Sequence, residues 1–472
     1  MKNNFDAKII ILVVCLMIAF VPWSYLLIRN FIDMEDNDRH QSIQEEFNEP
    51  GSSSDDSTLA DDISVISEPG TETGTEPIIT EPSPEPSPEI INEEPIIPDH
   101  PEPVIININE LYSGLSDALD EISIRFDCVA VSLTVYDGTG SVYYTYEFGY
   151  SDLSTGALVN ADTKMRVASL SKLATVICAM TLADAGKLDL DEDISEYLKI
   201  DVINPGFPDT PITTRMLMQH TSSINDSPSF ESSRFSGSSR STFELLGMRD
   251  SYLNRKPGAG YTYSNFGYSV IAAVCEMISG KSFDTLAREI LFEPLNIDAA
   301  FVPSRLRDTD NIAAIYNESR TLRRSVEVQL GVKESGILGH DHHFAQGNLT
   351  ISTADYSKIL AMLGAGGVFN GIQILSEQAV IEIHDTDVQG TGFKQGLGTR
   401  YSGISFLPES NGYWHTGSAY GIFAQYLYGV SPGHNSGVVV VTTGASINRT
   451  SNGMINVCNE MSKLALSILN FD

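Results

Sequence analysis

The sequence predicts a mixed α/β (α+β) domain held behind a membrane-spanning helix and a disordered linker. Three observations point there. Beyond residue 105, strand-like segments lie towards both ends and helix-like segments lie between them. Residues 33 to about 104 are acidic, Pro-rich and poor in aromatics, and residues 9–28 are apolar without a charge. Strands supplied by both ends of a region imply one sheet built from the two ends, with a helical insertion.

Residues 1–8 read as a short cytoplasmic tail. The run from Ile9 to Ile28 is about 20 residues, enough to cross a hydrocarbon core roughly 30 Å thick. Lys2 and Lys8 precede it and acidic residues follow, which sets the N-terminus inside, while Trp23 and Tyr25 suit the membrane–water interface. A secretory core is shorter and ends in a small-x-small cleavage site, and neither that nor a lipoprotein signal before Cys15 stands out. The expectation is a single-pass anchor in a bacterial cell membrane, with the remaining chain outside. Residues 29–104 form the linker. Between Asp33 and Glu102 roughly 21 acidic residues face one base, Arg39, within a chain of net charge −33. With Thr80-Glu81-Pro82-Ser83-Pro84-Glu85-Pro86-Ser87-Pro88-Glu89 inside it, this stretch is extended and semi-stiff. It reads as a stalk, or equally as a solubilising segment.

From 105 to 472 the texture is globular. Leu111 to Ile124 has apolar residues at helical spacing. Val129–Tyr136 alternates, turns at Asp137-Gly138-Thr139-Gly140 and continues as Ser141–Phe148, a β-hairpin signal. Leu170–Ala185 and Tyr268–Ile278 read as helices, Tyr426–Val430 and Gly437–Thr443 as strands, and Asn456–Leu469 as a closing helix.

Composition removes several function classes. An acidic chain without a basic stripe does not bind nucleic acid, whose phosphates need Lys and Arg. Cys128, Cys178, Cys275 and Cys458 are far apart with no CxxC pair, so they read as buried thiols, with one bridge left open. No metal is expected. His340-Asp341-His342-His343 looks like a cluster, but adjacent loop positions do not converge on one ion as spaced zinc ligands do. Without a phosphate-binding glycine loop or dinucleotide fingerprint, no cofactor is expected, and no Gly-x-Ser-x-Gly elbow is present.

Three motifs carry chemistry. In Val167-Ala168-Ser169-Leu170-Ser171-Lys172, a Ser and a Lys three apart share one helix face. A Lys amine can take the Ser proton, and the helix N-terminus offers N–H groups to developing negative charge. In Pro257-Gly258-Ala259-Gly260-Tyr261-Thr262-Tyr263-Ser264-Asn265, a rigid turn presents Tyr263 as base or proton relay and Asn265 as a substrate-positioning amide. Tyr252-Leu253-Asn254 repeats the Tyr-x-Asn pattern without that turn. In Trp414-His415-Thr416-Gly417-Ser418, strand glycine marks close backbone approach. There His415 can orient the leaving group or the Tyr263–Lys172 pair, and the Ser418 N–H can bind an oxyanion.

The order Ser-x-x-Lys, Tyr-x-Asn, His-Thr-Gly resembles the class C β-lactamase and DD-carboxypeptidase family of penicillin-recognising serine hydrolases. Gly186–Leu198, Ile212–Ser222, Gly347–Ser352 and Gly371–Ser376 resemble family segments too. The resemblance implies a β-lactamase/transpeptidase-like fold, an antiparallel sheet flanked by helices with a helical domain and a cleft between. It implies Ser169 as the acylated residue, Lys172 and Tyr263 as its proton managers, and Ser169 and Ser418 N–H groups as oxyanion donors. Thr416 and Gly417 join the substrate-binding strand. Class C β-lactamases carry Lys where this chain has His415, and a His there looks more like the family's peptidases and esterases. The family glycine after its His-Thr-Ser is Ser223 here, and His220 in that segment looks structural. The expected activity is an acyl-enzyme hydrolase of small peptides or esters, among them D-amino-acid peptides such as the peptidoglycan stem peptide. The competing readings are a surface binding or sensor module with little turnover, and a true β-lactamase.

Overall fold

Val131, Leu133 and Val135 in one stretch and Val438–Val441 in another are β-branched or aliphatic runs, the composition of strands buried on both faces. In the computed structural model they are neighbours at the middle of one sheet. The structure describes residues 114–467 apart from 138, 236–239, 408–410, 430–434, 447–448 and 451–452. The anchor and linker expected over 9–28 and 29–104 lie outside the described residues. Among the described residues no helix is long and apolar enough to cross a membrane.

Nine strands form the sheet: β1 (Ala130–Tyr136), β2 (Val142–Asp152), β3 (Ala157–Leu158), β4 (Val388–Gln389), β5 (Lys394–Gln395), β6 (Arg400–Gly403), β7 (Asn411–Ala419), β8 (Ile422–Tyr428) and β9 (Gly437–Thr443). Their spatial order is β4-β5-β6-β7-β8-β9-β1-β2-β3, antiparallel throughout. The N-terminal hairpin and the C-terminal meander therefore join at one seam, Ala130 opposite Thr443 and Tyr136 opposite Gly437. The sheet is built from both ends of the domain, as the strand placement predicts.

Helix α1 (Leu115–Arg125) and the closing helix α5 (Asn456–Leu466) cover one face, where Leu119, Leu133, Trp414, Val440 and Met461 share a core. The other face meets α2 (Ser171–Asp184), α3 (Asn265–Ser279) and α4 (Thr353–Gly364) around a larger core. Because both faces are covered, β1 is buried at every position. Its two hydroxyls are satisfied from α4: Ser132 and Thr134 each lie 2.8 Å from Thr353 Oγ1.

Helix α2 reads Ser-Lys-Leu-Ala-Thr-Val-Ile-Cys-Ala-Met-Thr-Leu-Ala-Asp, apolar almost all round, and such helices are central ones. Helix α3 starts where Ser264 caps it, its Oγ accepting from Gly267 N at 3.0 Å, and stops at Gly280 with φ +68°. Cys128, Cys178, Cys275 and Cys458 are buried free thiols, so no bridge forms among them. Ser223 keeps the left-handed turn its family position calls for, with φ +67°. Its Oγ accepts from Asn204 Nδ2 at 2.8 Å, a local tie that offsets the strain of a side chain there.

Glu276 on α3 anchors the segment that leads to the site. Its carboxylate accepts from Gly339 N at 2.7 Å and Phe283 N at 2.8 Å. Burial outweighs those donors and pushes its carboxyl up to about 7 from an ordinary 4.5. A pKa raised on folding contributes stability below the unfolded value, and that stability is lost as pH rises through the folded value. Relative to the parent, Glu276→Gln is therefore expected to gain up to about 3 kcal/mol between pH 4.5 and pH 8. Urea unfolding at pH 4.5 and 8 checks this, and an equal offset at both values would sink it.

Candidate active site

Ser169 sits in a single 3₁₀ turn, Ala168–Leu170, that feeds directly into α2. Ala168 holds φ +48°, a conformation an alanine adopts at a cost of about 1 kcal/mol. The turn is pinned from outside. Ser171 Oγ donates to Ala168 O at 2.6 Å and accepts from Leu349 N at 3.0 Å, while Val167 N donates to Leu349 O at 2.9 Å.

One turn into α2, Lys172 is fully buried, and a charge so placed must be hydrogen-bonded. Its Nζ donates to Ser169 Oγ at 3.2 Å, Asn265 Oδ1 at 2.9 Å and the Gln346 carbonyl at 2.6 Å. Tyr263, just before the cap of α3, brings its Oη within 2.7 Å of Ser169 Oγ. The two motifs, some ninety residues apart, thus meet at one oxygen. Tyr252 of the repeated pattern instead donates to Leu246 O at 2.7 Å and takes no part.

Asn265 differs from the free amide its motif suggested. Its Oδ1 holds Lys172, and its Nδ2 donates to Asp226 Oδ2 at 2.7 Å. Asp226 also takes Phe266 N at 2.9 Å and Ser264 Oγ at 3.1 Å, so one carboxylate fixes the start of α3 and, through Asn265, the ammonium. His220, at φ +58°, accepts from Ser264 N at 3.1 Å through Nδ1, and its ring centroid is 4.5 Å from that of Tyr263. Burial, with Lys172 and Arg400 nearby, holds this imidazole well below its usual range. Uncharged, it can accept that bond. It is a support for the Tyr263 turn.

Strand β7 forms one wall. Alternation along it turns Thr416 and Ser418 to the cleft they line, and His415 and Gly417 to the face of α2. Gly417 is there because nothing larger fits: a Cβ would stand 2.5 Å from the Val167 carbonyl and 3.2 Å from Ala168 Cβ. His415 is almost fully buried. Its Nδ1 lies 2.8 Å from Thr416 O, and its Nε2 has no hydrogen-bond partner among the described residues. It bonds to neither Tyr263 nor Lys172, so the orienting role for that pair is not in the geometry; the Tyr263 ring is 6.4 Å away, centroid to centroid. Burial, then Arg400 and Lys172, hold His415 well below its usual range.

The cleft above Ser169 has a volume of about 820 Å³, within the usual range for small-ligand sites. Sequence reading missed Asp226, Gln346 and the cleft's Arg166, Arg324, Arg400 and Arg449. Gln346 adjoins the quoted Gly347–Ser352 segment, and that adjacency was the available signal. Arg166 likewise adjoins the quoted Val167–Lys172 motif, whereas Arg324, Arg400 and Arg449 lie in no motif and gave no signal. Of the histidine run, His343 lines the cleft, while His340 meets Phe243 and His342 meets Phe230 edge to face. Among the described residues no three His, Cys, Asp or Glu side chains converge as metal ligands.

The model of the beta-lactamase family matches residues 117–454. Penicillin-binding protein 4* of Bacillus subtilis (strain 168) is 26% identical over 179 residues, 37% of this chain and 38% of that protein. Protein flp of Staphylococcus aureus (strain MRSA252) is 25% identical over 158 residues, 34% of this chain and 32% of that protein. These matches span about a third of the length of the curated relatives. Among solved structures, the octameric penicillin-binding protein homologue from Pyrococcus abyssi superposes with a TM-score of 0.59 at 20% identity over 76% of this chain and 77% of that one. The class C beta lactamase from Rhodobacter sphaeroides does so at 0.59 and 17% identity, over 75% and 99%. A D-amino acid amidase from Ochrobactrum anthropi SV3 does so at 0.58 and 20%, over 76% and 99%. These three share the fold.

Proposed function

Because the chain belongs to the beta-lactamase family, we propose that it is a serine hydrolase working through an acyl-enzyme on Ser169, with DD-peptidase-like or related amide and ester substrates. The observation that carries this is the convergence of Tyr263 Oη and Lys172 Nζ on Ser169 Oγ, at 2.7 and 3.2 Å, beneath an open cleft. Activation of a serine needs a partner within hydrogen-bond reach, and two are present.

In the reacting form Tyr263 is the phenolate, stabilised by the Lys172 ammonium beside it; Ser169 Oγ attacks the substrate carbonyl while its proton passes to Tyr263 Oη. The carbonyl oxygen, now anionic, takes N–H bonds from Ser169 and Ser418. Collapse breaks the amide or ester bond, and Tyr263 returns the proton to the departing group. Water then repeats the sequence on the acyl-enzyme, releasing the acid and free Ser169. Asn265 and Asp226 hold Lys172 in place throughout. Thr416 and Gly417 keep β7 close to the nucleophile. His415, uncharged behind the strand, adds no third cation beside Lys172 and Arg400.

The substrate class includes D-amino-acid peptides such as peptidoglycan stem peptide. The solved relative whose name is D-amino acid amidase and the curated Penicillin-binding protein 4* support that reading. The apolar run at 9–28 and its charged flanks support a membrane-tethered enzyme facing outwards. The test is to incubate the chain with a fluorescent penicillin and with p-nitrophenyl acetate, then map any adduct by peptide mass. An acyl adduct on Ser169 from either reagent is expected. If neither reagent is turned over or attached, the proposal is wrong.

A further inference from the structure

A phenolate formed inside a cleft is stable only where positive charge stands close to it. Lys172 provides one such charge, its Nζ 5.0 Å from the centroid of the Tyr263 ring. A second cation is present. The guanidinium carbon of Arg400 lies 5.8 Å from the same centroid, and among the described residues no carboxylate pairs with it.

The sheet fixes Arg400 in that place. It opens β6 and stands directly opposite Trp414 of β7, one residue before His415. Its guanidinium packs on the rings of Phe393 and Trp414, 4.5 and 5.3 Å from their centroids, and Nη2 reaches Tyr261 Oη at 3.5 Å. Phe393 in turn meets both Trp414 and Tyr261 edge to face, at 5.7 Å. A cation held on aromatic faces keeps favourable electrostatics when it is partly desolvated, and a guanidinium does not give up its proton.

The remaining groups around Tyr263 add no positive charge of their own. The ring centroids of His220 and His415 are 4.5 and 6.4 Å from that of Tyr263. Burial first, and then the charges of Lys172 and Arg400, hold both imidazoles well below their usual range, so both are neutral. Tyr268 is fully buried and donates to Met218 O at 2.9 Å. Burial raises the Tyr261 hydroxyl, and the Arg400 charge opposes that rise. Asp226 faces Lys172 only through Asn265. Arg449 also lines the cleft; burial and the like charge of Arg400 lower it, and Tyr263 raises it.

We propose that Arg400 is a positioning residue for the proton transfer, the second cation that, with Lys172, holds Tyr263 as the phenolate that takes the Ser169 proton. Its consequence for turnover rests on the acyl-enzyme reading; the charge coupling between Arg400 and Tyr263 does not.

The test follows kcat/KM for p-nitrophenyl acetate, a neutral ester with no carboxylate for Arg400 to hold, across the pH range in which the parent stays folded. The acid limb of kcat/KM reports the base of the free enzyme. Loss of a cation raises the pH at which Tyr263 ionises, so Arg400→Gln is expected to move that limb up by roughly 1–2 pH units. Below the limb this is a loss of roughly 10- to 100-fold, and above it the loss disappears. Arg400→Lys keeps the charge and should return most of the shift. If Arg400→Gln does not fold, Arg400→Met keeps an apolar stem over the rings and carries the same expectation. In parallel, Ser169→Ala protein with tyrosine labelled by carbon-13 at Cζ is titrated by NMR, the Tyr263 resonance being the one absent from a Tyr263→Phe companion. Its midpoint should rise with the loss of Arg400 by the same interval. Such a rise in a protein that hydrolyses no ester upholds the coupling and removes the acyl-enzyme reading instead. A Tyr263 midpoint that stays in place overturns the proposal. So does a rate that falls by the same factor at every pH and is not restored by lysine, since packing alone would do that.

Discussion

Replacing Ser169 by alanine is expected to abolish covalent acylation and to lower turnover of any accepted ester or amide by roughly 10³-fold or more. The size follows from geometry. Tyr263 and Lys172 both direct hydrogen bonds at Ser169 Oγ, and the neighbouring serines are otherwise engaged. Ser171 lies close in sequence, but its Oγ is spent between Ala168 O and Leu349 N. Ser418 is on the opposite wall and offers its backbone. The variant should fold as the parent does, because among the described residues Ser169 Oγ holds no structural partner beyond Tyr263 and Lys172. Melting curves beside burst-phase kinetics separate the two effects. Activity within tenfold of the parent, with intact folding, would move the nucleophile elsewhere.

Gly417→Val is expected to be nearly as severe for a different reason. Even the first carbon of a side chain would meet the Val167 carbonyl at 2.5 Å, and Ala168 Cβ and Ala424 Cβ at 3.2 Å. The nearest of these is backbone, with no rotamer to yield. Either β7 retreats from the nucleophile turn or Ala168, already at positive φ, is strained further. A retreat of about 1 Å takes the Ser418 N–H out of reach of the oxyanion, and a lost donor there costs about 10²–10³ in kcat. Overpacking adds roughly 1–3 kcal/mol of instability. Gly417→Ala should show the same signs more weakly. A valine variant with unchanged kcat would mean that the contact between β7 and the Val167–Ala168 backbone has no part in catalysis.

What could be read in the sequence, and what could not, divides along physical lines. Ser169 and Lys172 are three apart, so helical geometry alone puts them on one face. Tyr263 stood out because Pro257, Gly258 and Gly260 make its approach rigid. Gly417 was read as a point of close approach, and the atom it approaches is the Val167 carbonyl. The seam of β1 and β9 followed from two apolar runs near the ends of the domain. By contrast, Asp226 lies between Asn225 and Ser227, polar neighbours of no distinctive spacing, and acts only through a helix start 40 residues later. Arg400 acquires meaning from rings that tertiary structure brings to it. Val129–Tyr136 was read as an alternating strand, but that Ser132 and Thr134 are buried against Thr353 depends on a partner more than two hundred residues away.

The seam has a bearing on how the chain is made. Ala130 and Thr443 are roughly 300 residues apart, and pairing of that sequence separation forms slowly because loop closure precedes any gain in contacts. During synthesis from the N-terminus, β1 and β2 emerge long before β9 and leave one edge of β1 without its partner. The domain then stays loose until nearly all of it has been translated. For the outward-facing enzyme proposed above, that delay would keep the chain threadable while it crosses, with arrival of the final strand locking it into shape.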